Sequence, residues 1–294
     1  MISIVIPYYN RALSIKRTLN SVLNQSIQDF EIIIVDDCSS DSEQLKRILS
    51  DINDGRINYI RHETNKNGSS ARNTGINNAK GTYIAFLDSD DEWKNTKLES
   101  DLKAIKKTNE DKTIIYGSVL WTKESNAKET IKLPKLKLED DNLISDYLFI
   151  NGGLLQTSTL FMTKTTAKTV LFNELLWRHQ DYGFVLDAES KGYKFFHNDD
   201  SLTVWYVLDG DKCIVKKGAT LKNSSLFLCE YKIKISKKAM VNFILNELLY
   251  VAVKQRIIKE YIFITMKMLS IKDVPYYFLC MLKKIKFELK RKLA

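Results

Sequence analysis

Carboxylates gather in this 294-residue chain directly after runs of β-branched and apolar residues. Asp36 and Asp37 follow EIIIV, and Asp88, Ser89, Asp90 and Asp91 follow YIAFL; Asp181 stands further on, in RHQDYGF. Burying several carboxylates beside a core strand is costly unless a cation meets them. Asp88 and Asp90, one residue apart, are oxygen ligands of the type a hard divalent cation takes. Mg²⁺ keeps several waters and is commonly shared between one or two carboxylates and substrate phosphates. Such a short cluster suits a nucleoside diphosphate better than a closed metal cage. The plainer alternative is a solvated turn in which Asp90 or Asp91 caps a helix over 94–107. Asp36 and Asp37 offer acceptors for a base N–H or for ribose hydroxyls, or else a cap on the helix that starts near 42. Arg72, in SSARNTG, either brings positive charge to a diphosphate or lies on a helix surface.

These residues need a scaffold, and the first half of the chain supplies a regular one. SIVIPYY and EIIIVDD read as short strands covered on both faces. Ile15, Leu19, Val22 and Leu23 lie at helical spacing between them, and Leu45, Ile48, Leu49 and Ile52 repeat the pattern before the strand INYIR at 57–61. A helix over 68–81 and a strand over 82–88 follow. Alternation of this kind predicts a parallel sheet with helices on both faces. Ligands of such sheets collect at the carboxyl ends of the strands. The polar clusters Tyr9-Asn10, Asp36-Asp37 and Asp88 to Asp91 all fall there. Beyond the strand at 113–121, the charged stretch 122–142 is expected to be a surface loop or hairpin. Residues 152–163 and 193–207 read as extended, and 180–191 as helical.

Composition fits a globular protein, with 44% hydrophobic and 28% charged residues. MISIVIPYYN enters a strand at once, so no secretory signal is expected. Cys38, Cys213, Cys229 and Cys280 are too scattered for a zinc pattern or a disulfide framework, and read as reduced thiols. Charge divides the chain. Residues 212–294 hold 19 Lys/Arg against 5 Asp/Glu, a balance of +14, whereas 1–211 hold 26 against 31, a balance of −5.

SIVIPYYNR (3–11), FEIIIVDDCSSD (30–41), NGSSARNTGINNAKGTYIAFLDSDDEW (67–93) and WRHQDYGF (177–184), in that order, resemble the GT-A-fold glycosyltransferases of family 2. The resemblance covers most of residues 1–205. It implies an α/β GT-A fold, a Rossmann-like, mostly parallel sheet flanked by helices, and transfer of a sugar from a nucleotide diphosphate with inversion at the anomeric carbon. Pro7, Tyr9, Asp36 and Asp37 would border the nucleoside, with Arg72 near it or the diphosphate. Asp88 and Ser89 would lie against the donor, with Asp88 touching ribose and metal and Asp90 as principal ligand of Mn²⁺ or Mg²⁺. Asp181 matches the family's catalytic carboxylate, although its place ahead of Phe184, Val185 and Ala188 also suits a helix cap. Many relatives carry a second acid two positions on, where this chain has Gly183. His179 is a candidate for touching acceptor or diphosphate, or a structural histidine. Trp177 is a candidate for stacking on a sugar, or a core residue.

The domain reading is therefore a catalytic domain over 1–211, with nucleotide-sugar binding in 1–121 and the acceptor side in 122–211, followed by a basic amphipathic helical region over 212–294. In 239–294 lysines interleave with aromatic and aliphatic residues, with no uninterrupted apolar stretch of the roughly 18 residues a spanning helix needs. Helices lying on the inner face of the cell membrane fit this pattern, as does packing on the catalytic domain or on a second subunit in a homodimer. Nucleic acid is not an expected partner. The expected reaction adds one sugar, with a UDP-linked donor, to a polyprenyl-diphosphate-linked glycan in O-antigen or capsule assembly, in the cytoplasm against the membrane. Rival classes fit less well. A sugar-nucleotide pyrophosphorylase wants a glycine-rich loop near the N-terminus, which IPYYNRALS lacks. A haloacid-dehalogenase-type phosphatase places its Asp-x-Asp after the first strand. A non-catalytic nucleotide-sugar-binding module that recruits partners to the membrane is the remaining alternative.

Overall fold

A computed structural model describes residues 1–207 and 218–293. The chain runs β1 (Ile2–Tyr8), α1 (Ile15–Leu23), β2 (Phe30–Asp36), α2 (Ser42–Ile52), β3 (Ile57–Arg61), α3 (Gly68–Asn78) and β4 (Tyr83–Phe86). Strand β1 pairs in parallel with β2 and β4, and β2 with β3. The two-residue period of a strand divides the side chains between two layers. Ile4, Ile6, Ile32 and Ile34 join Ile15, Leu19, Val22 and Leu45 from α1 and α2 in one layer. Val5, Ile33 and Val35 meet Ala71 and Ile76 of α3 in the other. Both faces of β1 and β2 are thus covered, which explains the nearly uninterrupted apolar runs.

Beyond β4 the sheet turns mixed. Its order is β3-β2-β1-β4-β8-β6-β9-β5, with β5 (Glu92–Trp93), β6 (Thr113–Lys123), β8 (Phe161–Thr163) and β9 (Lys194–Val207), while β7 (Asn126–Leu133) hangs on β6. β4–β8, β8–β6, β6–β7 and β9–β5 are antiparallel, and β6–β9 is parallel. Strand order reverses between β1 and β4, where a crevice opens at the carboxyl ends. The stretch 122–142 holds the β6–β7 hairpin. Helix α4 spans Lys97–Ile105 with Thr96 at its start, so Asp90 and Asp91 cap nothing; the short β5 intervenes.

Helices α5 (Ile144–Phe149), α6 (Lys164–Val170) and α7 (Gln180–Ser190) cover the sheet beside α3. The C-terminal helices are α8 (Leu221–Tyr231), α9 (Lys237–Phe243), a π-turn (Ile244–Leu248), α10 (Leu249–Gln255), α11 (Ile258–Met268) and α12 (Val274–Leu293). The 211/212 boundary lies outside the described residues. Beyond it, Phe227, Leu228, Phe243, Ile244, Leu248 and Ala252 are fully or almost fully buried in the core that also holds Val5, Phe86 and Phe184. Helices α8 to α10 therefore share the core of the sheet and its flanking helices. No helix among the described residues is long and apolar enough to cross a membrane. Cys38, Cys229 and Cys280 are free thiols, and Cys213 lies outside the described residues.

Candidate active site

Two loops at the ends of β1 and β2 are tied to each other first. Asn10 adopts φ 52°, and its Oδ1 accepts from Ser40 N at 2.8 Å and Ser40 Oγ at 2.9 Å. Asn10 N donates to Ser39 Oγ at 3.1 Å. Asp36 is fully buried and accepts from Ser39 N (2.8 Å), Ser42 Oγ (2.6 Å) and Tyr59 OH (2.8 Å). Burial would raise its pKa, but these hydrogen bonds outweigh burial and hold it below the usual carboxylate value. Asp37, 3% exposed, meets His62 Nδ1, Lys66 N and Asn67 N, each at 2.8 Å. Both carboxylates are thus turned inward, because a buried acid must find its partners nearby. They tie together the loops at the ends of β1 and β2, with three hydrogen bonds on each carboxylate. Tyr9 is 39% exposed beside them, and Pro7 is half-buried at the end of β1.

The second cluster faces arginines. Asp88 Oδ1 accepts from Arg72 Nη2 at 2.6 Å, and Asp90 Oδ2 from Arg11 Nε at 3.0 Å. Arg17 Nη2 donates to the Asp90 carbonyl at 2.8 Å. The guanidinium groups are the cations that the sequence pattern demanded. Ser89 is buried, and its carbonyl accepts from Ser14 Oγ and Thr18 Oγ1 on the α1 side. The Asp91 carboxylate points away from the crevice, accepting from Ser158 Oγ at 2.6 Å and Gln156 Nε2 at 2.8 Å. Burial pushes the Asp90 carboxyl up, with Arg11 opposing and Asp88 adding to the rise. Burial, reinforced by Asp90 and Asp88, pushes Asp91 well above its ordinary value.

Asp88 and Asp90 suit a divalent ion by donor type: two carboxylates at one strand end, each engaged by its arginine through one oxygen. Among the described residues no three His, Cys, Asp or Glu side chains converge to hold a metal. The remaining positions would then fall to water and substrate oxygens, as Mg²⁺ and Mn²⁺ accept.

Asp181 is the second residue of α7. It does not cap the helix. His179 holds the cap position at φ 61°, and Asp181 Oδ1 accepts from the adjacent Tyr182 N at 2.9 Å. Burial pushes the Asp181 carboxyl up to about 6, with the Arg72 charge lowering it and the Asp88 charge raising it. The Arg72 and Asp88 charges thus both bear on the Asp181 carboxyl. The surroundings of His179 support the structural one of its two expected roles. Its Nε2 lies 3.1 Å from Ser224 Oγ, and its ring stacks on Tyr182 and abuts Phe227 and Phe243. Burial holds that imidazole well below its normal pKa, so it is a neutral packing residue between α7 and the C-terminal helices. Trp177, by contrast, is 53% exposed just ahead of α7.

Gly183 has a structural reason. A Cβ there would lie 2.7 Å from Leu176 Cδ1 and 2.9 Å from Tyr231 OH, so a second acid would collide with α8.

The sequence pattern did not disclose the residues that hold these parts together. Asn73 Nδ2 donates to Glu174 Oε1 at 2.9 Å, Ser70 Oγ to Glu174 Oε2 at 2.8 Å, and Asn67 Nδ2 to the Glu174 carbonyl at 2.7 Å. Arg72 Nη1 donates to Gln180 Oε1 at 2.9 Å. One face of α3 thereby clamps the segment leading into α7. Adjacency to recognised positions, Arg11 after Asn10 and Gln180 before Asp181, was the only hint in the sequence.

Comparison with known proteins bears on the family and the fold. Residues 3–153 match the family model described as Glycosyl transferase family 2. The amylovoran biosynthesis glycosyltransferase AmsB of Erwinia amylovora is 33% identical over 248 residues, 82% of this chain and 81% of that protein. A UDP-Glc:alpha-D-GlcNAc-diphosphoundecaprenol beta-1,3-glucosyltransferase, WfgD of Escherichia coli, is 38% identical over 118 residues, 40% of this chain and 45% of WfgD. The crystal structure of Staphylococcus aureus TarS residues 1–349 with UDP superposes with a TM-score of 0.59 over 89% of this chain and 70% of that one, at 20% identity.

Proposed function

This chain belongs to glycosyl transferase family 2, and from that premise we propose that it transfers one sugar from a UDP-linked donor to a hydroxyl of a polyprenyl-diphosphate-linked glycan during bacterial surface polysaccharide synthesis. It is a glycosyltransferase of the GT-A fold. The observation that supports the finer reading is the pair of arginine contacts at the strand end, Arg11 to Asp90 and Arg72 to both Asp88 and Gln180, the residue before Asp181. AmsB and WfgD act, by name, in amylovoran biosynthesis and on a diphosphoundecaprenol-linked sugar.

In this reading Asp88 and Asp90 would hold Mn²⁺ or Mg²⁺ beside the donor diphosphate. The ion, when bound, supplies Lewis-acid stabilisation of the charge that builds on the departing diphosphate. Arg72 and Arg11 add fixed positive charge on the same side. Asp181 accepts the proton of the acceptor hydroxyl as it attacks from the face opposite the leaving group, a role worth about 10²–10⁴-fold in rate. A base with a pKa of about 6 is ionised at neutral pH yet still basic enough to take that proton. Trp177 offers an exposed indole to the acceptor sugar.

A lipid-linked acceptor calls for attachment at the cytoplasmic membrane face, and α11 and α12 support it. Ile258, Ile262, Phe263 and Met266 lie at helical spacing on the exposed side of α11, and Val274, Phe278, Leu279, Leu282 and Ile285 do so on α12. Exposed Lys259, Lys267, Lys272 and Lys283 accompany them. Outward apolar faces edged by lysine suit an interface of anionic headgroups.

The test is a screen of nucleotide sugars with Mn²⁺ or Mg²⁺ and a polyprenyl-diphosphate acceptor, with and without EDTA. Inverted product stereochemistry and loss of turnover in EDTA are expected. Retained configuration, or full turnover without metal, would overturn the mechanism.

A further inference from the structure

We infer that Arg72 and Gln180 form a positioning link, through which occupation of the donor site sets the placement of the helix that carries Asp181. The inference rests on the glycosyltransferase reading above and adds to it a coupling between donor and base.

Arg72 is 7% exposed and spans two parts of the site. One guanidinium nitrogen donates to Asp88 Oδ1 at 2.6 Å, the other to Gln180 Oε1 at 2.9 Å. Its Nε is buried without a hydrogen-bond partner, so the head group is held by these two bonds and lies 5.3 Å over the Phe172 ring. Gln180 is fixed at its other end, where Nε2 donates to the Leu176 carbonyl at 2.8 Å. It is the first residue of α7, directly before Asp181.

Gly68 bears independently on the same contact. A Cβ at Gly68 would lie 2.8 Å from Gln180 Oε1 and 3.0 Å from Arg72 Nη1. Only a residue without a side chain leaves room for this pair at the start of α3. The same helix binds Asp37 through the Asn67 amide and binds the segment before α7 through Glu174. A single rigid element thus touches the nucleoside-side loop, the metal-side carboxylate and the base helix.

The link works through competition for Asp88. In this structure Arg72 is the partner of that carboxylate. Were Asp88 to turn to a bound donor, Arg72 would exchange that bond for one to the diphosphate. The head group then moves with Gln180 still attached, and α7 follows at its first turn. A displacement of the base by about 1 Å is enough to change a rate by about a hundredfold.

Gln180→Ala and Gln180→Glu test the link; the second keeps an acceptor for Arg72. Gln180→Ala is expected to lower kcat by about ten- to a hundredfold while UDP affinity, measured calorimetrically with Mn²⁺, stays within about twofold. Gln180→Glu, which keeps the acceptor for Arg72 but loses the donor to the Leu176 carbonyl, should recover part of kcat. A second readout needs no turnover. Amide exchange of residues 177–184 should slow when UDP and Mn²⁺ bind the wild type, and should not respond in Gln180→Ala. Unchanged kcat in Gln180→Ala, equal losses of UDP affinity and kcat, or exchange at 177–184 indifferent to UDP in the wild type would each overturn the link. Absence of turnover with every donor, alongside UDP-dependent protection of 177–184, would instead count against the glycosyltransferase reading and leave the coupling standing.

Discussion

The strand-end crevice and the C-terminal helices break opposite rules of burial. In the crevice, polar groups are withdrawn from water: Asp36, Asp37, Asp91 and Arg72 are each at most 7% exposed. In α11 and α12, apolar groups are left in water, with Met266 at 75% and Leu282 at 61% exposure. Each departure costs stability, and each is compensated differently. The crevice is satisfied internally, by hydrogen bonds that come from neighbouring loops. The apolar faces of α11 and α12 have no cover among the described residues, so whatever compensates them must come from another surface. A functional site is thus visible in two ways: as polarity that the fold has gone out of its way to satisfy, and as apolarity that it has not.

The comparison can be broken or sharpened by experiment. Asp181→Asn should produce the largest change, removing about 10²–10⁴-fold of transfer rate while UDP still binds. Loss of UDP binding in that variant would move Asp181 out of the base role. The wild type should also show the acid limb of this group. With a carboxyl pKa of about 6, the base is protonated and inactive below that value, so kcat should rise about tenfold per pH unit below 6 and level off above it. A flat profile between pH 5 and 7 would contradict this.

Asp90→Ala should come next, weakening Mn²⁺-supported UDP binding by about tenfold, equivalent to about 1.4 kcal/mol. Unchanged affinity in calorimetry would remove Asp90 from the ligand set. Gly183→Ala probes the seam between α7 and α8. Its methyl would collide with Leu176 and Tyr231, so a loss of about 1–3 kcal/mol is expected in denaturant unfolding. A neutral result would mean that α7 and α8 are not locked together there.

The smallest effect on the folded state, and the sharpest discrimination for the helices, should come from Phe263→Asp with Met266→Asp. Both side chains are exposed, so stability should stay within about 0.5 kcal/mol. Sedimentation with vesicles containing anionic lipid should nevertheless fall several-fold. If instead the wild type is a dimer that these changes dissociate, with no vesicle binding in either form, the face is a subunit interface.

Much of the fold was legible in the sequence because its first half repeats one physical unit. Apolar runs of strand length and helical spacings at Ile15–Leu23 and Leu45–Ile52 leave little choice for elements covered on both sides. The β5 pair and α6 escaped because two strand residues, or a seven-residue helix rich in threonine, carry no readable period. The hairpin at β6–β7 was half-read, since charge marks exposure without fixing pairing.

The positions of the acids at strand ends were fixed by the local sequence, since a carboxylate that follows a buried strand must emerge at its carboxyl end. Which of them look into the crevice was decided only in three dimensions. Asp36 and Asp37 turn inward because Ser39, Ser42, Tyr59, His62 and the amides of Lys66 and Asn67 converge on them from residues up to 30 positions away. His179 became a packing residue for the same reason: Ser224, Phe227 and Phe243 reach it from a distant part of the chain. Periodicity determines what a segment buries and where its polar ends lie. Only the packed fold assigns those ends their partners, because hydrogen bonds and charge act over a few ångströms and take no account of separation along the chain.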